Sequence, residues 1–175
     1  MENKIGQNKL FIELTALLKP IGLVVVDVRR GVQRDGVNIV VTITNKGHTV
    51  GVDECSKAHR LILPRLSILE DNRDISLEVS TPGLQRNFRD LYEFTLFEGS
   101  RCRVLDNRIS EWVEGIIEGA GSAEVTLTNA RIGDKKEVME NYKIPHSAIQ
   151  KAKLAYAWED MNNVQWFRRC HSLSY

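Results

Sequence analysis

The chain has 175 residues, of which 42% are hydrophobic and 27% are charged, a balance typical of a folded globular protein and not of a disordered one. Its formal net charge of +1 argues against a freestanding, non-specific nucleic-acid binder, so any contact with nucleic acid must come from a local patch. The sequence contains no apolar run long enough to span a membrane and no N-terminal apolar signal core, so we expect a cytoplasmic protein.

Sequence patterns over residues 1–98 alternate between helix and strand. Leucines at helical spacing predict a helix over 10–18, and β-branched segments predict strands over 23–29 and 37–43. After a second helix, a strand over 75–80 and a short helical stretch follow. This order predicts an N-terminal α/β two-layer domain, in which helices cover one face of a small sheet.

The second helix carries two features of interest. Asp53 is placed to cap its N-terminus, because a carboxylate can accept the unpaired backbone N–H groups there. Pro64 lies within its apolar stripe and is expected to kink the helix or split it in two. The pair Asp53-Glu54 could instead serve in acid/base catalysis or metal binding, but capping accounts for both residues.

The pattern changes after residue 98, where short strands separated by turn residues dominate. Their number and length predict a small closed β-barrel of the SH3 or Sm type over residues 99–156. Residues 157–175 carry a loosely helical apolar stripe, which predicts a helical tail. The fold class is therefore α+β. The predicted strands are Arg101–Leu105, Trp112–Glu118, Glu124–Thr128, a segment around Tyr142–Ile144, and Lys151–Leu154.

Local motifs for catalysis and cofactor binding are missing from the sequence. It contains no phosphate-binding loop, no dinucleotide-binding glycine motif and no nucleophile elbow. The four histidines are too widely separated for local metal-ligand spacing, and the three cysteines form no Cys-x-x-Cys pair. We therefore expect no enzyme, no cofactor and no metal, although distant residues could still converge in a hydrolase site.

The segment between the third strand and the following helical stretch is the most distinctive in the chain. The strand at 75–80 runs directly into Thr81-Pro82-Gly83. Pro82 suits the second position of a turn, and Gly83 can take the positive φ that a type II turn needs next. Arg86 is then expected at the rim of a rigid corner with its guanidinium free for a partner. The alternative is that Arg86 pairs internally, with Glu78 or Asp90, and serves only the fold. A turn that only reverses the chain would use the same residues.

Four basic residues are predicted to point outward from the barrel. Arg101 and Arg103 share one face of its first strand, and Lys151 and Lys153 share one face of its last. They could bind phosphate oxygens through charge-assisted hydrogen bonds. They could equally pair with glutamates on the neighbouring strand. Those glutamates are Glu114 and Glu118.

The run Leu77-Glu-Val-Ser-Thr-Pro-Gly-Leu-Gln-Arg86 resembles the signature of the ribosome maturation factor RimP family. Shorter matches occur in the family's order at Val52–Cys55, Gly115–Ile116, Ile144–Pro145 and Ile149–Leu154. The resemblance implies an N-terminal α/β domain and a C-terminal SH3-like barrel. It also implies a bacterial cytoplasmic assembly factor without a cofactor that binds the immature small ribosomal subunit. Small-subunit ribosomal protein twelve is a partner associated with the family.

One departure from that signature bears on the corner. Gln85 stands where the family usually has an acidic residue, which is expected to leave Arg86 freer for an external partner. We expect a monomer that binds rRNA and ribosomal proteins of the small subunit. The candidate ribosome-binding residues are Pro82, Gly83, Arg86, Arg101, Arg103, Lys151 and Lys153.

A second functional class remains open from the sequence. Trp112, Tyr142 and Tyr156 could line the groove of an SH3-type adaptor that binds proline-rich peptides, or they could stack on bases. Such aromatic residues can also serve as barrel core or edge cover. Aromatic residues make up only 7% of the chain, whereas a proline-rich ligand needs several neighbouring surface aromatics.

Overall fold

The computed structural model describes residues 5–34, 36–70, 74–135 and 137–156. The chain divides into two compact units, and the boundary along the sequence falls between Pro82 and Gly83. Residues 83–98, which the sequence pattern placed with the first domain, therefore fall in the second unit. The helical tail predicted over 157–175 lies outside the described residues.

The first unit is an α/β arrangement built on a three-stranded sheet. Its strand order is β1-β2-β3, with β1 antiparallel to β2 and β2 parallel to β3. The parallel pair is joined through helix α2, as a crossover connection requires. The predicted N-terminal α/β domain is confirmed. Its elements are α1 (Lys9–Leu18), β1 (Val24–Val32), β2 (Val37–Thr44), α2 (Val52–Leu69) and β3 (Ile75–Ser80).

The N-terminus of α2 differs from the prediction. Gly51 is the N-cap, so the predicted cap at Asp53 is wrong. Glu54 closes the helix end instead, because its carboxylate accepts the Gly51 N–H at 2.9 Å. This backbone hydrogen bond lowers the pKa of Glu54. Pro64 does not split the helix, which runs unbroken from Val52 to Leu69.

The second unit is an antiparallel sheet with a short helix before it. All five strands predicted from the sequence are present, in the order β7-β6-β5-β4-β8. Within the described residues no pairing joins β7 to β8, so the ladder is a five-stranded sheet and the predicted closed barrel is not established. The elements are α3 (Tyr92–Leu96), β4 (Arg101–Asp106), β5 (Glu111–Ala120), β6 (Glu124–Ile132), β7 (Met139–Pro145) and β8 (Ile149–Leu154).

Irregular pairing between β5 and β6 shapes this sheet. The register shifts between Glu114 and Ile116, and Asn129 on β6 has a φ of 50°. A Cβ added at Gly115 would lie 2.9 Å from the carbonyl oxygen of Thr128, so only glycine lets the two backbones approach this closely. The irregularity lets β6 continue to Ile132, beyond the predicted end at Thr128.

No helix in the described part of the chain is both long and apolar enough to cross a membrane.

Candidate functional site

The corner after β3 is a turn, but not the predicted one. The Arg86 N–H donates to the Gly83 carbonyl oxygen at 3.0 Å, so Leu84 and Gln85 are the central residues. Gly83 is not among the glycines with positive φ, and a Cβ there would meet no atom within 4 Å. The predicted type II turn with a left-handed Gly83 is therefore wrong, because Gly83 opens the turn and does not occupy its third position.

Arg86 is engaged inside the second unit. Its Nε and Nη2 both donate to the carboxylate of Glu93, the latter at 3.1 Å. The two side chains are 11% and 1% exposed. The same carboxylate accepts the backbone N–H of Arg89 at 2.8 Å. The expectation of a free guanidinium at a rim is therefore wrong. Gln85 does not leave Arg86 freer for an external partner, because Arg86 pairs with Glu93.

The segment that carries Arg86 pairs with the edge of the second sheet. The Phe88 N–H donates to Ala152 at 2.8 Å, and the Leu154 N–H donates to Arg86 at 2.9 Å. Asn87 forms a β-bridge with Lys153 between these two bonds. Residues 86–88 thus cover part of the edge of β8 that would otherwise be open for pairing.

The four basic residues predicted to point outward lie on one face of the second sheet. On adjacent strands β4 and β8, Arg103 is directly opposite Lys153, and Lys151 is opposite Leu105. Arg101, two residues before Arg103, shares its face because side chains alternate along a strand. The inward positions between them are fully buried. The structure therefore brings these four residues together.

Glu114 on β5 lies among these cations. Its Oε2 is 2.6 Å from Nε of Arg103, and its Oε1 is 3.5 Å from Nη1 of Arg101. Of the two glutamates predicted to pair across strands, Glu114 does so. Glu118 lies further along β5, near Lys143 on β7, whose pKa is raised mainly by its hydrogen bond to Glu124 and to a smaller extent by the charge of Glu118. Cross-strand pairing and an outward basic surface are therefore both present.

Arg131 is a further cation beside Glu114, and the sequence pattern did not predict it there. It is paired in register with Glu114 on the neighbouring strand β5, which places both side chains on the same face. Arg131 is exposed. The sequence did not place Arg131 on this face because β6 was predicted to end at Thr128. In the structure the irregularity at Asn129 lets the strand continue to Ile132. We name as the basic face the residues Arg101, Arg103, Arg131, Lys151 and Lys153, which surround Glu114.

The aromatic residues considered for peptide or base binding lie in different settings. Lys153 Nζ is 5.4 Å from the centre of the half-buried Trp112 ring, a cation–π distance. The Tyr142 hydroxyl donates to Asp106 at 3.0 Å. Tyr156 is 39% exposed. Trp112 thus contacts Lys153 of the basic face, whereas Tyr142 belongs to a hydrogen-bonded cluster around Asp106.

The residues that the structure describes contain no candidate metal site. Among the described residues, no group of three or more His, Cys, Asp and Glu side chains is arranged to hold a metal ion.

Comparisons with known proteins agree with the motif at 77–86. A family model described as the RimP N-terminal domain matches residues 13–85. The ribosome maturation factor RimP of Borrelia hermsii is 35% identical over 70% of this chain and 78% of its own length. That of Borrelia turicatae is 31% identical over 77% of this chain and 86% of its own length. With such matches over both units, the chain belongs to the ribosome maturation factor RimP family.

Proposed function

We propose that this protein is a non-catalytic assembly factor required for maturation of the small (30S) ribosomal subunit, and that it acts by binding the immature subunit. The observation that carries the proposal is the basic face, found in a chain whose relatives are named ribosome maturation factors. Phosphate oxygens of rRNA are the ligands that such a face fits, because arginine and lysine bind them through charge-assisted hydrogen bonds.

Binding alone is enough for this role. A factor that binds one conformation of the subunit more tightly shifts the population toward that conformation. It dissociates when maturation removes the surface it fits. The net charge of +1 limits the phosphates that the protein can engage, so we expect affinity to fall only moderately with salt.

The seven candidate residues divide by the way in which each would contribute. Arg101, Arg103, Lys151 and Lys153 would contact phosphate directly. The other three residues would set the path of the chain segment that covers the edge of β8. Pro82 and Gly83 lie at the boundary between the two units along the sequence. Arg86 would act through its pairing with Glu93. Ribosomal proteins of the small subunit, among them protein twelve, would be further partners of this monomeric, cytoplasmic factor.

We also propose that the second sheet is of the SH3-like class. Support comes from contacts across it, since Asp106 at the end of β4 binds Tyr142 on β7, two strands beyond its neighbour β5. Arg108, in the following turn, reinforces this contact by donating to the Lys143 carbonyl oxygen at 3.1 Å. Such contacts require a strongly curved sheet.

A peptide-binding adaptor is less well supported. A proline-rich ligand needs an exposed groove of neighbouring aromatic side chains. Lys153 lies over the Trp112 ring, and the guanidinium of Arg108 lies over the Tyr142 ring at 5.9 Å, so a cation already faces each of these rings.

The test is sedimentation of the purified protein with isolated subunits. We expect it to move with small subunits and not with large ones, and to prefer the immature form. The triple variant Arg103→Ala, Lys151→Ala, Lys153→Ala should lose most of this binding. The matched control is Lys143→Ala, on the same sheet but paired with Glu124 at 2.9 Å, and it should bind as the wild type does.

Two outcomes would overturn the proposal. One is sedimentation with both subunits equally, or with neither. The other is unaltered binding by the triple variant, which would exclude the basic face as the contact. A salt dependence that implies on the order of ten phosphate contacts would show that the contact surface extends well beyond this face.

A further inference from the structure

We infer that Glu114 is a built-in competitor for the phosphate groups of RNA: its carboxylate occupies the place on the basic face that a phosphate must take to engage Arg101 and Arg103. The inference rests on the proposed function in so far as RNA is the ligand. Glu114 would thereby control the affinity for RNA at that site.

The strand register places Glu114 at the centre of a row of charges. Across β6, β5, β4 and β8 the row reads Arg131, Glu114, Arg103 and Lys153, each residue directly opposite the next. Neighbouring strands are about 4.8 Å apart, so the row spans roughly 14 Å. One carboxylate thus stands between cations on both sides.

The contacts of Glu114 are those that a phosphate would make. Its two oxygens face two guanidinium groups, one at 2.6 Å and one at 3.5 Å. Carboxylate and phosphate oxygens accept the same charge-assisted hydrogen bonds from arginine. A phosphate on this face therefore competes with Glu114 for the same donors.

Exchange between the two acceptors is possible because the site is open to solvent. The side chains of Arg103 and Glu114 are 51% and 29% exposed. An exposed ion pair gains little over its hydrated state, so a phosphate can displace it. The buried pair of Arg86 and Glu93, at 11% and 1% exposure, does not have this freedom.

The balance of charge leaves room for an anionic ligand. The basic face contains five cations and one carboxylate, and Glu114 serves both Arg101 and Arg103. Glu114 thus holds both arginines in place, while Arg131, Lys151 and Lys153 add positive charge to the same face. The expected consequence is weak, reversible RNA binding, which suits a factor that must leave its product.

The test replaces Glu114 with its neutral isostere. Glu114→Gln should bind a short fluorescent uridine oligonucleotide roughly tenfold more tightly than wild type, the gain expected from one added charge-assisted contact. If both arginines gain a phosphate, the slope of log affinity against log salt should steepen by about 1.4. The matched control is Glu118→Gln, the same change four residues further along the same strand, at an exposed carboxylate. It should alter affinity by less than about twofold, since exposed charges at a distance are screened.

Two further measurements make the result decisive. Arg103→Ala in the Glu114→Gln background should remove the gain, because the freed arginine is its source. The melting temperatures of all variants show whether they are folded, and a shift of a few degrees is expected at most.

The inference is overturned if Glu114→Gln binds the oligonucleotide no better than wild type, or if Glu118→Gln gains as much. It is also overturned if neither wild type nor Glu114→Gln binds the oligonucleotide. Sedimentation with small subunits, measured separately, distinguishes this failure from failure of the proposed function. If the protein binds small subunits but Glu114→Gln gains no affinity for the oligonucleotide, only the role of Glu114 as a competitor is wrong. If Glu114→Gln gains affinity for the oligonucleotide but the protein does not bind small subunits, only the proposed ribosomal function is wrong.

Discussion

The guanidinium of Arg86 and the carboxylate of Glu93 form a nearly buried ion pair that joins the turn after Gly83 to helix α3. The pair is bidentate, and the Arg89 backbone N–H supplies a third bond to the carboxylate. It therefore fixes the segment that covers the edge of β8. We therefore expect Arg86 to act on the fold, and any effect of its loss on binding to pass through that segment.

Arg86→Ala should lower the free energy of unfolding by about 3 kcal/mol, because it leaves the Glu93 carboxylate buried without its main partner. Arg103→Ala, which breaks an exposed pair, is the control and should cost less than about 1 kcal/mol. Urea unfolding of the three proteins measures both values. The double variant Arg86→Met, Glu93→Leu should recover much of the loss. Unchanged stability of Arg86→Ala with lost subunit binding would instead restore the direct-contact role expected from the sequence.

Gly115 and Gly83 provide a contrasting pair of glycines. Gly115→Ala should destabilise the protein by about 1–3 kcal/mol, because its Cβ would lie 2.9 Å from the Thr128 carbonyl oxygen and 3.1 Å from the Leu127 Cβ. Gly83→Ala adds a Cβ in open space without a positive φ, so it should be neutral or stabilise by up to about 1 kcal/mol. Thermal unfolding compares them. A large loss for Gly83→Ala would mean that its position in the turn has been misassigned.

Strands such as β3, β4 and β5 could be predicted because alternate residues turn inward, which leaves a period of two in the sequence. In β1 four consecutive residues are buried, and its β-branched residues indicated the strand instead. Ile75, Leu77 and Val79 alternate with polar residues, and β3 occupies Ile75–Ser80 as predicted. The ion pair between Arg86 and Glu93 could not be predicted from such a pattern. Its partner Glu93 becomes a neighbour only when α3 folds against the turn, and no periodicity in the chain records that contact.

The contents of the basic face were only partly predictable for a similar reason. Arg101, Arg103, Lys151 and Lys153 lie at alternating positions of regular strands, so their shared face follows from the sequence. Arg131 depends on the irregularity at Asn129, which restores the alternation beyond the predicted end of the strand. Bulges of this kind depend on the partner strand, here on the close approach at Gly115.

Cys102 should be unreactive in the folded protein. Its side chain is fully buried, and burial, together with the nearby charge of Glu114, raises the pKa of its thiol to about 12. Because the thiolate is the reactive form, iodoacetamide at pH 8 should modify Cys102 only after denaturant is added. The half-buried Cys55 is the internal comparison and should react first. Mass spectrometry of the digested protein gives both extents, and rapid modification of native Cys102 would contradict its burial.

Acid should destabilise the protein partly through Asp106. Its carboxylate is fully buried and accepts from Arg108 Nε at 3.0 Å, from the Arg108 backbone N–H at 2.9 Å and from the Tyr142 hydroxyl at 3.0 Å. The hydrogen bond from the Arg108 side chain is the largest cause of a lowered pKa of Asp106. Since the pKa in the unfolded chain is about 3.9, the stabilisation is present above that pH and is lost as the pH falls through the lower pKa of the folded state.

Asp106→Asn should therefore be less stable than the wild type at pH 7, and the difference should shrink as the pH falls below about 4. Urea unfolding at a series of pH values between 7 and 3 measures it. Glu118→Gln, which changes an exposed carboxylate on the same sheet, is the control and should shift stability by less than about 0.5 kcal/mol at pH 7. A difference between wild type and Asp106→Asn that stays constant down to pH 3 would mean that the pKa of Asp106 is the same in the folded and unfolded states, and that its bonds to Arg108 and Tyr142 do not govern the acid response.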